Sequence, residues 1–135
     1  VLQVAGSHVG LPALSLEYLM GFVFSPLAWL LGVPGPECGM VGSVLGLKVV
    51  LNEFVAYMRL GPDIQAGRLS QRAAAIASFA LCGFANLSSL GLLVAAFGSQ
   101  CPDRREEVAR KSARAVLGGM LSNLMSAAIA GIIIP

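Results

Sequence analysis

The sequence predicts an all-α integral membrane protein that combines transmembrane helices with a re-entrant helical hairpin and a broken helix. Three observations predict this. The 135 residues are 56% hydrophobic and 12% charged, whereas a soluble domain carries about 25% charge. The charges are clustered, so that residues 1–16, 18–36, 73–102 and 115–135 hold none. The last three stretches approach or exceed the roughly 20 apolar residues that cross a ~30 Å hydrocarbon core. Finally, two apolar regions carry polar groups near their centres: Lys48, Asn52 and Glu53 in one, Asn86, Ser88 and Ser89 in the other.

The mean hydropathy of +0.79 agrees with this class, and a net charge of +2 is too small to suggest a nucleic-acid partner. Cys38, Cys82 and Cys101 are odd in number and widely spaced. They indicate neither a disulfide framework nor a metal site, and read as packing residues. The chain begins at Val1 without the basic flank and cleavage site of a signal peptide, so a fragment of a longer protein is expected.

Residues 1–10 resemble the end of a helix cut at a fragment boundary, and the lone His8 reads as structural. Residues 11–33 form the first full span. Pro12 suits a first helical turn, and Tyr18 and Trp29 fall near opposite ends, where amphipathic aromatics favour the interface. Glu17 is expected at headgroup level. Pro26 removes a backbone donor and should bend the helix, which "GVPGPECG" then stops.

Residues 38–60 are apolar apart from their centre. A straight spanning helix would place Lys48 and Glu53 at mid-bilayer, at about 2.5–3.5 kcal/mol each on insertion scales. A re-entrant hairpin avoids this. Its arms, 39–48 and 52–60, would be ~15 and ~14 Å long, enough to reach the midplane but not to cross. The tip would be residues 49–52. Gly39, Gly42 and Gly46 give the first arm a small face for close packing on a neighbouring helix. Two readings of the tip stay open: Lys48 and Glu53 form an internal ion pair, or Glu53 is a ligand-binding group. The polar "RLGPDIQAGRLSQR" that follows is a surface loop, turning at Gly61-Pro62-Asp63.

Residues 73–102 would make a single helix of ~45 Å, longer than the membrane core. Two half-helices, 73–84 and 90–97, with an unwound middle fit better. The break centres on "CGFANLSSLG", residues 82–91. Within a bilayer such a break survives only where it is buried in protein or lines a cavity. It is therefore a binding-site candidate. Ser88 or Ser89 would cap the second half-helix. The plainer alternative is that Asn86 and the serines only bond across to another helix.

Residues 103–135 form the terminal helix. Asp103 and Glu106 suggest a capping box, and Glu106–Arg110 and Glu107–Lys111 are i,i+4 pairs. The basic cluster of Arg104, Arg105, Arg110, Lys111 and Arg114 places this end in the cytoplasm and the C-terminus outside. Gly119, Asn123, Ser126, Ala127 and Ala130 form a stripe expected to pack on protein. Leu117, Leu121, Leu124 and Ile132 are expected to face lipid.

The blocks "GLKVVLNEFVAYMRL", "LCGFANLSSLG" and "PDRREEVARKSARAVLGGMLSNLMSAAIAG", in this order, resemble the concentrative nucleoside transporter family over nearly the whole chain. The chain is similar to the C-terminal third of a typical member. The resemblance implies a nucleoside:cation symporter, driven by sodium or protons, that is usually a homotrimer in the plasma or inner membrane. It also implies an elevator-type transport domain, whose C-terminal half is residues 36–135: hairpin 38–60, broken helix 73–102 and terminal helix 103–135. Residues 1–35 would supply a scaffold helix. By the same resemblance, Glu53, Asn86 and Ser89 contact the ribose and Phe84 lines the pocket. No cofactor is implied, and the coupling cation would bind outside this chain.

Ribose hydroxyls both donate and accept, so a carboxylate, an amide and a hydroxyl converging on them supply matched partners. Two other readings compete. One is a membrane enzyme using Glu53 as acid or base, but no His, metal cluster or nucleophile–base pair accompanies that residue. The other is a truncated, transport-inactive paralogue, against which the intact Glu53, Asn86 and Ser89 argue.

Overall fold

The computed structural model describes residues 16–135, and they are helical throughout, without strands. The expectations for residues 1–10, His8 and Pro12 lie outside them. Six α-helices follow one another: α1 Leu16–Leu30, α2 Cys38–Val50, α3 Glu53–Gln65, α4 Gln71–Leu81, α5 Leu87–Gln100 and α6 Arg105–Ile133. Short 3-10 turns, Gly35–Glu37 and Pro102–Arg104, precede α2 and α6.

Two of the connections are the breaks that the polar residues predict. The first lies at Leu51–Asn52, within the expected tip, and α3 packs back on α2. Each of these helices has 13 residues, or about 20 Å, too short to cross a bilayer. The second arm runs five residues beyond its expected end at Leu60, because "GPD" continues the helix instead of turning it. Pro62 sits inside α3, and the turn comes at Gly67, whose φ of 64° suits a residue without a Cβ. The second break, residues 82–86, separates α4 from α5. Among the described residues, the stretch long and apolar enough to cross a membrane is Pro102–Ile133.

The core is aliphatic and small: Ala28, Val41, Val44, Ala56, Leu60, Ala73, Ile76, Ala77 and Leu81 are buried within it, with Ala127 of α6. Small residues let the backbones approach closely. A Cβ on Gly42 would stand 2.8 Å from both Gly21 O and Ser25 N, and one on Gly46 would overlap Met20. The small face of α2 therefore packs on α1 as expected. Gly39 is the exception, with open space where its Cβ would be.

Side chains bind the loops to this core. Arg72 Nε donates to Gly32 O at 3.1 Å. Glu37 Oε2 accepts from Ser70 N and Ser70 Oγ at 3.0 and 2.9 Å, which ties the start of α2 to the start of α4. Buried Asp63 receives Arg59 at 2.9 Å and also pairs with Arg68. The loop charges are thus partly a closed network, not simply solvated.

Three expectations for α6 and its start are corrected. No side chain caps α6, because Asp103 lies in the preceding 3-10 turn and Arg104 occupies the cap position. Leu124 packs against the core, while Ser126 is exposed. Leu117, Leu121 and Ile132 are exposed, and Ala127 and Ala130 buried, as the two faces require. The i,i+4 pairs form, Arg110–Glu106 at 3.3 Å and Lys111–Glu107 at 2.7 Å.

Candidate functional site

The two breaks meet. Asn52 caps α3, its side chain accepting from Val55 N at 2.9 Å. Asn86 caps α5, its Oδ1 accepting from Ser89 N at 2.7 Å. Ser89 completes a capping box, with its Oγ accepting from Asn86 N at 3.0 Å and donating to Asn86 O at 2.8 Å. The cap is thus Asn86, not Ser88 or Ser89 as the sequence suggested. An Asn at Ncap satisfies the N3 amide, and the serine three residues on returns the bond.

Glu53, in the first turn of α3, faces this cap. Its Oε2 accepts from Asn86 Nδ2 at 2.9 Å. Ser88 Oγ donates to Leu51 O at 2.9 Å and joins the same two breaks a second time. The N-termini of α3 and α5 therefore converge on one carboxylate, where their partial positive charge favours an anion. The arrangement gives the carboxylate an amide donor and two helix N-termini in place of an ion pair, which it does not form among the described residues.

Asn86 is 1% exposed and Ser89 5% exposed, and both are largely committed to the cap. What remains for a ligand is the carboxylate of half-buried Glu53, the second N–H of Asn86 and one lone pair on Ser89 Oγ. Phe84 is 69% exposed. It lines a cavity of 420 Å³ between the second break and α6, together with Ser89, Leu92, Gly119 and Asn123. Glu53 and Asn86 do not line that cavity, whereas Ser89, bonded to Asn86, does and so links the cavity to the cap.

The Lys48–Glu53 ion pair, one of the two readings left open for the tip, does not form. Lys48 is buried, and its Nζ donates to Ala80 O at 2.7 Å. With its amide oriented to satisfy both neighbours, Asn123 accepts from Lys48 Nζ and donates to Cys82 O, each at 2.9 Å. The lysine goes to the C-terminus of α4 because unpaired carbonyls and the negative end of the helix dipole lie there. Among the described residues, no group of three or more His, Cys, Asp or Glu is placed to hold a metal ion.

A family profile described as the Na+ dependent nucleoside transporter C-terminus matches residues 1–131. The chain belongs to this family. It is 51% identical over 125 residues to the uncharacterized transporter YutK of Bacillus subtilis, covering 93% of this chain and 30% of that protein. Identity to the nucleoside permease NupC of Helicobacter pylori is 47% over 124 residues, covering 90% and 30%. To solute carrier family 28 member 3 of Homo sapiens it is 36% over 141 residues, covering 95% and 20%. The solved structure of CNTnw in an inward-facing substrate-bound state matches with a TM-score of 0.89 at 48% identity, over 97% of this chain and 32% of that one. The chain spans about a third or less of the length of these relatives.

Within this segment, sequence reasoning missed Lys48, Tyr57 and Asn123 as organisers of the second break. Tyr57 Oη donates to Ser78 O at 2.7 Å. The usable signal was a lysine within an apolar helix, which requires fixed acceptors nearby. Gly83 belongs to the same group, because a Cβ there would overlap the Asn123 amide. Gly83→Ala should push that amide off Cys82 O and cost about 1–3 kcal/mol, the usual penalty of an orphaned buried polar group. Thermal unfolding in detergent checks this, and an unchanged melting temperature contradicts it.

Proposed function

We propose that the chain is the C-terminal part of a nucleoside:cation symporter, with Glu53, Asn86 and Ser89 contacting the ribose and Phe84 lining the pocket. The observation that carries the reading is the 2.9 Å bond between Glu53 and Asn86 at the meeting of two helix N-termini, in a chain of the nucleoside transporter family. A carboxylate oriented by one amide N–H, beside a second N–H and a hydroxyl lone pair, offers acceptors and a donor to a vicinal diol. Such a site rejects sugars lacking the hydroxyl, because its own polar groups are then unpaired.

In this reading α2–α3 is a re-entrant hairpin and α4–α5 a broken helix, since neither α2, α3 nor α4 is long enough to span. Both belong to an elevator-type transport domain, residues 36–135, moving against a scaffold that includes α1 in a homotrimer of the plasma or inner membrane. The basic start of α6 faces the cytoplasm and the C-terminus lies outside.

The coupling cation, sodium or proton, binds in the part of the transporter outside this chain. In favour of this, two carbonyl oxygens at the break are already taken, Ala80 O by Lys48 and Cys82 O by Asn123. The full-length transporter in proteoliposomes should accumulate uridine under an inward sodium or proton gradient. Uptake indifferent to both gradients contradicts symport.

A further inference from the structure

All four carbonyls that end α4 are paired, together with the one beyond. In an α-helix the last four C=O groups lack intrahelical partners, and in a membrane interior each must find one within the protein. Here Ser78 O accepts from Tyr57 Oη and Ala80 O from Lys48 Nζ. Phe79 O accepts from Cys82 N at 3.2 Å and Leu81 O from Gly83 N at 2.9 Å. Cys82 O accepts from Asn123 Nδ2, whose own carbonyl oxygen takes the second bond from Lys48. Two of these pairings are local turns. The other three come from the hairpin and from α6, and Lys48 and Asn123 are joined to each other.

We propose that Lys48 and Asn123 are positioning residues for the nucleoside site: they form a latch that holds the unwound segment so that Asn86 meets Glu53. Its bonds run to the backbone of the break and between its two members. It acts through the three residues between Cys82 and the Asn86 cap, from the end of the break away from the Glu53–Asn86 bond. Lys48 serves as a tethered cation in this role. Its ammonium gathers the Ala80 carbonyl and the Asn123 amide oxygen as a bound metal ion would, but it cannot dissociate. Gly83 is part of the device, since a side chain there would occupy the place of the Asn123 amide.

This inference rests on the ribose role proposed above for Asn86. The test uses Lys48→Met and Asn123→Ala, each alone and combined with Asn86→Ala, in the full-length transporter. Uridine KM and Vmax are measured per copy in the membrane, together with the rate at which N-ethylmaleimide alkylates Cys82, read by peptide mass. Each latch variant should raise KM about tenfold with little change in Vmax per copy, as loss of one bond to a charged group would. Combined with Asn86→Ala it should add little, because a misplaced amide and a missing amide lose the same contact. Alkylation of Cys82 should quicken in both latch variants.

Unchanged KM and unchanged alkylation overturn the latch, as do effects that multiply with Asn86→Ala. Should Lys48→Met fail to accumulate, Asn123→Ala leaves the ammonium on Ala80 O and reads the same cycle. Asn86→Ala alone reads the ribose role. If its KM is unchanged, that role is wrong, and the alkylation rate still decides whether Lys48 and Asn123 hold the break.

Discussion

Glu53→Gln, made in the full-length transporter, should raise the uridine KM about 10- to 100-fold while leaving the amount of protein in the membrane unchanged, because hydrogen bonds to charged groups are worth about 1.5–3 kcal/mol. The substitution is nearly isosteric. A glutamine Oε1 still accepts from Asn86 Nδ2, so the 2.9 Å contact between the breaks is kept. What is lost is the charge, and charge-assisted bonds are about twice as strong as neutral ones. The penalty for removing a ribose hydroxyl from the substrate should shrink in parallel. Uridine and its 3′-deoxy analogue, compared in the same vesicles, check both points. A variant with normal expression, normal KM and full discrimination would sink the ribose role of Glu53.

Gly42→Val should separate α1 from α2 and give a large loss of stability. A Cβ at Gly42 would stand 2.8 Å from two backbone atoms of α1, Gly21 O and Ser25 N. Backbone atoms cannot rotate away as a side-chain end does, so the helices themselves must move. Overpacking of this kind costs about 1–3 kcal/mol and sometimes more. Lipid cannot restore the lost contacts through a hydrophobic drive, since helix association in membranes rests on packing. Gly39→Val is the matched control, one turn away with nothing within 4 Å of its added Cβ. Thermal unfolding in detergent should separate the two variants by well over 1 kcal/mol, and equal melting temperatures would show that the α1–α2 contact is not limiting.

The site was legible in the sequence where chemistry and depth coincide. Glu53, Asn86 and the serines are polar groups in apolar surroundings, and a membrane interior forces such groups on one another. The two breaks lie where these residues predicted, at Leu51–Asn52 and residues 82–86. Which partner each group takes was not legible. Lys48 is five residues from Glu53 and reads as its counter-ion, yet it binds Ala80 O, 32 residues away. That choice depends on where α4 ends, and helix ends are the least certain part of any pattern reading. The same uncertainty puts the cap at Ser88 or Ser89 in the sequence reading, because the second half-helix is expected to start at residue 90 and instead starts at Leu87. In α6, Leu124 and Ser126 were placed by residue type, but the helix turns Leu124 toward the core.

The pairing of Lys48 with Ala80 also sets an order of assembly. The hairpin is synthesised first, so its ammonium and the Tyr57 hydroxyl are already present when the end of α4 leaves the ribosome. Asn123 follows some forty residues later, which at ~5–20 residues per second is a delay of a few seconds. During that interval the Cys82 carbonyl lacks its native partner. A nascent chain that has released α4 but not yet Asn123 should therefore hold α4 in its native place while residues 82–86 behind it stay open to chaperones and to solvent.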